Sequence, residues 1–302
     1  MTTVAVLGPG GVGGFLAAAL ERSGQPVTVI AREETAAAIA REGIHVESVR
    51  LGAFGARPGA TAALREPADV LLVATKATGL EAALGRIESA PTLVVPLLNG
   101  LDHMTLLRRR FGAGHVAAGT IRIEADQPRP GAIVQTSPFL RVDLAAEDDG
   151  ARALLEPLAA LLRGADVPVQ LGGSEAQILW SKLVRLNALA LSTSASDRPI
   201  GFVRSDSEWR ALLEACVGEA AAVANAEGAV SDPAKPLAEL DEAHAGLGSS
   251  MQRDIAAGRE PELDAVAGSV LRAGARHGIA CPTITRLAAR VAERAGIAAP
   301  RA

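Results

Sequence analysis

The sequence predicts an α/β protein, with a doubly wound parallel sheet in its N-terminal half and an all-helical C-terminal half. Three observations predict it. Short apolar runs alternate with stretches of helical period over residues 1–171. A glycine-rich turn follows the first run at once. After Gly172-Gly173 the strand-like period disappears and only helical patterns remain.

Taken in order, residues 4–7 read as a buried strand, 12–22 as a helix and 26–31 as the next strand. Residues 33–41 read as a helix and 44–49 as another strand in the same alternation. DVLLVAT (69–75) and residues 92–98 are continuous apolar runs, the mark of strands covered on both faces, with a helix over 78–87 between them. Residues 114–142 are rich in turn and β-branched types and read as further strands, including antiparallel ones. A helix over 151–163 and a strand over 167–171 close this half. Helices follow over 174–194, 205–227, 234–243, 262–277 and 283–294. The first opens on a capping box, Ser174 with Gln177 three residues on. The change of period places a domain boundary between 1–173 and 174–302, with the glycine pair as a hinge.

Composition limits the functions available. Over 302 residues, 49% are hydrophobic and 21% charged, which fits a folded two-domain protein. Aromatics are 2%, with no Tyr, so stacking platforms for single-stranded nucleic acid are scarce. A net charge of −4 gives no general pull on phosphate polymers, and no nucleic-acid partner is expected. Two cysteines outside any Cys/His cluster argue against a disulfide framework and a metal site. Residues 4–20 lack a basic leader and are broken by glycines and Pro9, so neither export nor a membrane span is expected, and a cytoplasmic setting is.

Gly8-Pro9-Gly10-Gly11-Val12-Gly13 has the G-x-G-x-x-G spacing between a strand and a helix, the Rossmann-type arrangement for a dinucleotide. Gly8 permits the tight turn, Gly10 leaves room for a pyrophosphate, and Gly13 lets helix and strand approach. Free N–H groups at the helix start, from Gly11, Val12 and Gly13, face the phosphates. Arg32 stands after the second strand, where NAD enzymes usually carry an acid, so a 2′-phosphate and hence NADP (NADPH) is favoured. Glu33 and Glu34 compete with that reading or simply open the next helix. Lys76 and Asn99 follow two further strands, so four strand ends carry groups able to meet a ligand.

These residues resemble the ketopantoate reductase (2-dehydropantoate 2-reductase) family over nearly the whole chain. The resemblance continues through Leu179-Trp180-Ser181-Lys182-Leu183, Ser249-Ser250-Met251-Gln252-Arg253-Asp254-Ile255 and Gly258-Arg259-Glu260-Pro261-Glu262-Leu263-Asp264. It implies that Lys182 is the general acid for the ketone oxygen and that Glu262 binds the substrate hydroxyl and orients Lys182. It implies Ser250 at the substrate carboxylate, Asn99 between cofactor and substrate, Arg32 at the 2′-phosphate and Lys76 near the nicotinamide ribose. The implied partner is a small 2-keto acid, first 2-dehydropantoate reduced to pantoate as in pantothenate biosynthesis or else a related ketone, and a homodimer is the candidate assembly. The chemistry is sound in itself, because hydride addition builds negative charge on oxygen and an ammonium stabilises and neutralises it. Glu262, after Pro261, is read in the first turn of a helix, and Asp254 and Asp264 as groups that orient neighbours.

One departure bears on substrate. The family's Asn four residues after the lysine is Leu186 here, and Asn187 comes one later. Position +4 lies about 40° from Lys182 around a helix and +5 about 140°, so Asn187 faces elsewhere. A second family Asn is Ala190. Arg185 and Thr193 lie within about 60° of Lys182 and are candidates for replacement contacts. Two other readings compete: a β-hydroxyacid dehydrogenase relative, and a dinucleotide sensor without turnover.

Overall fold

A computed structural model describes residues 2–301. The chain divides into two compact units, Met1–Leu98 with His103–Ile178, and Asn99–Asp102 with Leu179–Ala302.

The first unit begins β1 (Val4–Leu7), α1 (Gly11–Arg22), β2 (Val27–Ile30) and α2 (Glu33–Glu42). It continues through β3 (Ile44–Ser48), β4 (Gly52–Ala56), β5 (Gly59–Thr61) and β6 (Val70–Val73). Then come α3 (Leu80–Leu84), β7 (Leu93–Pro96), α4 (His103–Phe111), β8 (Ala118–Arg122), β9 (Ala125–Arg129), β10 (Ala132–Gln135) and β11 (Arg141–Ala145). It closes with α5 (Asp149–Ala153), α6 (Leu155–Gly164) and β12 (Val169–Leu171).

Five strands form a fully parallel sheet in the order β5-β2-β1-β6-β7. Strands β1, β6 and β7 are buried on both faces, which is why they read as unbroken apolar runs. The strand expected at 44–49 does not join this sheet. Ile44–Ser48 pairs in a second sheet, β4-β3-β10-β9, and the third place beside β2 goes to β5, Gly-Ala-Thr. Three small residues at a sheet edge carry no hydrophobic signal. The strands expected over 114–142 include antiparallel pairs, β10 with β9 and β11 with β8, but β10 also runs parallel to β3.

Helix α1 is buried along its whole middle, Gly13 to Leu20. A Cβ on Gly14 would lie 2.6 Å from Ile133 Cδ1, so α1 is packed on the second sheet as well as on the first. A helix covered on all sides must be apolar on all sides, which explains the apolar character of this stretch.

In the second unit, α7 (Glu175–Ser196), whose first turn belongs to the first unit, is followed by α8 (Ile200–Ser205) and α9 (Ser207–Ala226). Next are α10 (Ala234–Glu242), α11 (Ser250–Ala256), α12 (Ser269–Arg276) and α13 (Pro282–Ala295). The expected Ser174 cap is present, with Gln177 N donating to Ser174 Oγ at 3.1 Å. The helix read from residue 205 instead starts at Ser207, after the N-cap Asp206, whose side chain accepts from the Glu208 and Trp209 N–H groups, with α8 as a separate short helix. Helix α9 lies at the centre, packed against α8, α10, α12 and α13. Among the described residues no helix is long and apolar enough to cross a membrane.

Candidate active site

In the first unit the parallel register aligns Leu7 with Ile30 and with Val73, so the chain leaves β1, β2 and β6 along one edge of the sheet. The glycine loop, Arg32 and Lys76 all emerge there.

The loop's glycines divide by what demands them. Gly8 has φ +87°, and a Cβ on it would strike Thr75 Cγ2 at 2.7 Å. A Cβ on Gly13 would lie 2.2 Å from Gly8 O, and one on Gly11 2.3 Å from Ala125 O. These three are required by the fold itself. Gly10 is not: its φ of −68° is open to any L residue, and its Cβ direction meets nothing within 4 Å. The first bond of α1 runs from Gly14 N to Gly10 O at 2.7 Å, so the amides of Gly11, Val12 and Gly13 precede any intrahelical acceptor. A donor cradle beside open space at a helix start fits a diphosphate. The Gln127 side-chain amide donates to Pro9 O and pins the loop from β9, a contact with no sequence signal.

Arg32 is exposed, sits at the N-cap of α2, and among the described residues its guanidinium has no ion-pair partner. Its rival Glu33 is engaged, since Arg86 Nη1 lies 3.1 Å from its Oε1. Glu33's carboxyl is held below the ordinary carboxylate range by a backbone hydrogen bond and by Arg86. Lys76 is exposed in extended conformation between β6 and a tight turn at Ala77–Gly79.

The second unit gathers other residues. Asn99 Nδ2 donates to Glu262 Oε2 at 3.0 Å, across 163 positions of sequence. The short segment around Asn99 is anchored closely. Gly100 has φ +85°, and a Cβ there would lie 2.2 Å from Ala265 O. Leu101 N donates to Ser269 Oγ at 3.3 Å, and Arg272 bridges Asp102 at 2.6 Å and Asp264 at 2.8 Å.

Glu262 lies just before the helix rather than in its first turn, and the helix opens with a π-helical segment, Asp264–Gly268. Such segments disturb the regular backbone pairing, and here Val266 O accepts from Asn187 Nδ2 at 3.0 Å. The Cys216 thiol, wholly buried, donates to Asn187 Oδ1 at 3.3 Å. Burial pushes that thiol well above its ordinary range, which keeps it a donor. Asn187 is thus a buried brace for the segment that follows Glu262, as its angular offset from Lys182 predicts.

Lys182 is half-buried on α7. Both residues read as replacement contacts have partners within the chain. Arg185 pairs with Glu239 at 3.3 Å, and Thr193 is buried, bonded to Leu189 O at 2.7 Å and Ser249 Oγ at 3.0 Å. Ser250 is the exposed first residue of α11. Its neighbour Ser249 is the buried N-cap, accepting from Gln252 N at 3.1 Å, a role visible in the S-x-x-Q spacing. Asp254 accepts from Arg259 Nε at 2.9 Å and Asp264 from Arg272, so both orient neighbours as read.

The family model for ketopantoate reductase PanE/ApbA matches residues 4–145, and its C-terminal counterpart matches 176–298. The 2-dehydropantoate 2-reductase of Caulobacter vibrioides is 31% identical over 294 residues, covering 93% of this chain and 95% of that protein. The solved 2-dehydropantoate 2-reductase of Geobacter metallireducens superposes with TM-score 0.88 at 26% identity, over 96% of this chain and 99% of that one. A D-mandelate dehydrogenase solved with NADH and anilino(oxo)acetate shares the fold at TM-score 0.89 and 21% identity, over 98% of this chain and 99% of that one.

Proposed function

The chain belongs to the ketopantoate reductase family, and from that premise we propose that it is an NADPH-dependent reductase of a small 2-keto acid, yielding the 2-hydroxy acid. Oxidoreductase chemistry on CH–OH groups with a nicotinamide dinucleotide is the family's property. The preference for NADPH and the identity of the acid are the proposal. 2-Dehydropantoate, named in the relatives, is the compound from which the substrate search starts.

The observation that carries the reading is Gly10. The fold requires Gly8, Gly11 and Gly13, whereas nothing within the chain requires a glycine at position 10. A ligand passing close to the backbone does, beside amides oriented to bind anions. Arg32 gives the 2′-phosphate a planar, permanently charged partner. In this reading residues 1–173 hold the dinucleotide and residues 174–302 handle the substrate, with Asn99 from the earlier stretch grouped with the latter.

Bound NADPH supplies the hydride that reduces the keto carbon. Lys182 stabilises the charge that develops on the keto oxygen and delivers a proton to it from Nζ. Glu262 helps to orient the ammonium, and Asn99, fixed by its bond to Glu262, presents its amide toward cofactor and substrate. Ser250 offers its exposed hydroxyl to the substrate carboxylate. Lys76 contacts the nicotinamide ribose.

The test is NADPH oxidation over a panel of 2-keto acids that includes 2-dehydropantoate. Saturable turnover of at least one supports the reading. Saturable NADPH binding with no turnover of any would leave a dinucleotide sensor in its place.

A further inference from the structure

The polar side chains that follow Lys182 on α7 are engaged elsewhere. Arg185 pairs with Glu239 at 3.3 Å. Asn187, buried, holds Val266 O and accepts from Cys216. Ser192 donates to Ala188 O at 2.7 Å, and Thr193 is bonded to Leu189 O and Ser249 Oγ. The positions that follow Lys182 on its own helix face are apolar. Leu186 is one turn on, about 40° round the helix, and half-buried. Leu189 and Ala190 follow, both buried.

We propose that the substrate is a 2-keto acid whose substituent beyond the keto carbon is a branched alkyl group without a hydroxyl, and that Leu186 is the specificity-determining residue it packs against. The inference rests on the reductase reading above. Residues four apart on a helix have Cβ atoms about 5–6 Å from one another. A keto group engaged by Lys182 therefore brings one of its two flanking groups against Leu186. The carboxylate is the wrong one, because it would lose hydration there and gain no donor. The carbon substituent takes that side, and apolar surface is removed from water on both partners. A hydroxyl on that substituent would meet the Leu186 side chain, which offers it no hydrogen bond. Glu262, the carboxylate nearest in role, lies outside α7 and accepts the Asn99 amide at 3.0 Å.

A minimal pair isolates the point. 3,3-Dimethyl-2-oxobutanoate and 2-dehydropantoate differ only by a hydroxyl on one methyl group. Apolar sites reject an added hydroxyl by roughly 10- to 100-fold, and kcat/KM with NADPH is expected to favour the alkyl acid by that factor. Leu186→Asn, which offers an amide at the same position, is expected to shrink the ratio at least about tenfold. A second readout needs no turnover: with NADP+ present, 2-hydroxy-3,3-dimethylbutanoate should raise the melting temperature of the full chain more than pantoate does.

A wild-type preference for 2-dehydropantoate, in rate and in product binding, overturns this inference and leaves the reductase reading intact. So does an unchanged ratio in a folded Leu186→Asn protein. Failure to reduce either acid or any other 2-keto acid overturns both. The wild-type ratio decides the matter even if the variant does not fold.

Discussion

Replacing Gly10 and Gly13 separately with alanine distinguishes a glycine kept for a ligand from one kept for the fold. At Gly13 the new Cβ would stand 2.2 Å from Gly8 O and 3.0 Å from Ala74 Cβ. Backbone cannot yield cheaply, and overpacking of this kind costs about 1–3 kcal/mol. In a unit of this size that is a fall of roughly 2–12 °C in melting temperature. At Gly10 the Cβ enters open space at φ −68° and ψ −164°, a conformation that alanine adopts without strain. Fewer unfolded conformations then stabilise the variant by about 0.4–1 kcal/mol, a rise of up to roughly 4 °C. The same methyl group would crowd a diphosphate. If displacing it costs about 1–3 kcal/mol, NADPH affinity falls roughly 5- to 150-fold. Thermal melts with and without NADPH, joined to a titration of cofactor binding, measure both quantities. Gly10→Ala should be at least as stable as the wild type and a poor binder. A Gly10→Ala protein that binds NADPH normally refutes the assignment of that space to the phosphates. One that melts well below wild type shows that packing explains the residue after all.

Three further outcomes are expected. Lys182→Ala should lower turnover by about 10²- to 10⁴-fold, the usual contribution of a general acid, while the dissociation constant for NADPH stays near wild type; turnover close to wild type would mean that another group supplies the proton. Arg32→Ala should weaken NADPH by roughly 10- to 100-fold through loss of a charge-assisted bond and leave NADH nearly unchanged; equal losses for both would remove the 2′-phosphate argument. Asp197, in the left-handed region with φ +57°, is held below the ordinary carboxylate range first by its hydrogen bond to Arg294, at 2.8 Å. A depressed folded value stabilises above the unfolded carboxylate's value of about 3.9 and is lost as pH falls through the folded value. Asp197→Asn, which keeps the backbone conformation, should therefore lower stability slightly at neutral pH, by about 0.2–1 kcal/mol for so exposed a pair, read as a small fall in melting temperature that vanishes in acid.

The parts of the fold that the sequence made legible share one cause: a burial pattern that repeats with the period of its element. The strands β1, β6 and β7 are covered on both faces and read as apolar runs, α1, α7 and α9 announce themselves by length, and α7 also by its Ser174 cap. The second sheet leaves no trace because Ile44–Ser48 has a strand's pattern whatever sheet it joins, and pairing partners leave no mark within one segment. β5, at Gly59–Thr61, was invisible because three small residues bury little. The segment now seen as α11 was read as a motif, although Ser249 and Gln252 spell its cap.

The candidate site was legible in part for similar reasons. A glycine loop and a helix phase are local, so the loop and the turn of Asn187 away from Lys182 could be foreseen. The bond between Asn99 and Glu262 joins residues 163 positions apart and had no local trace. Neither did the π-helical segment at Asp264–Gly268, since its irregularity is braced by Asn187 from another helix. The division of labour among the glycines was also out of reach, because it depends on what lies opposite each missing Cβ.

The most direct test of reduction by this chain follows the hydrogen itself. NADPH carrying deuterium at both C4 positions of the nicotinamide is incubated with the full-length protein and the 2-keto acid that it turns over fastest, and the product is read by mass spectrometry. One deuterium at C2 of the 2-hydroxy acid, in amounts matching the NADPH consumed, is the predicted result. Hydroxy acid without deuterium, or NADPH consumed with no hydroxy acid formed, would contradict it.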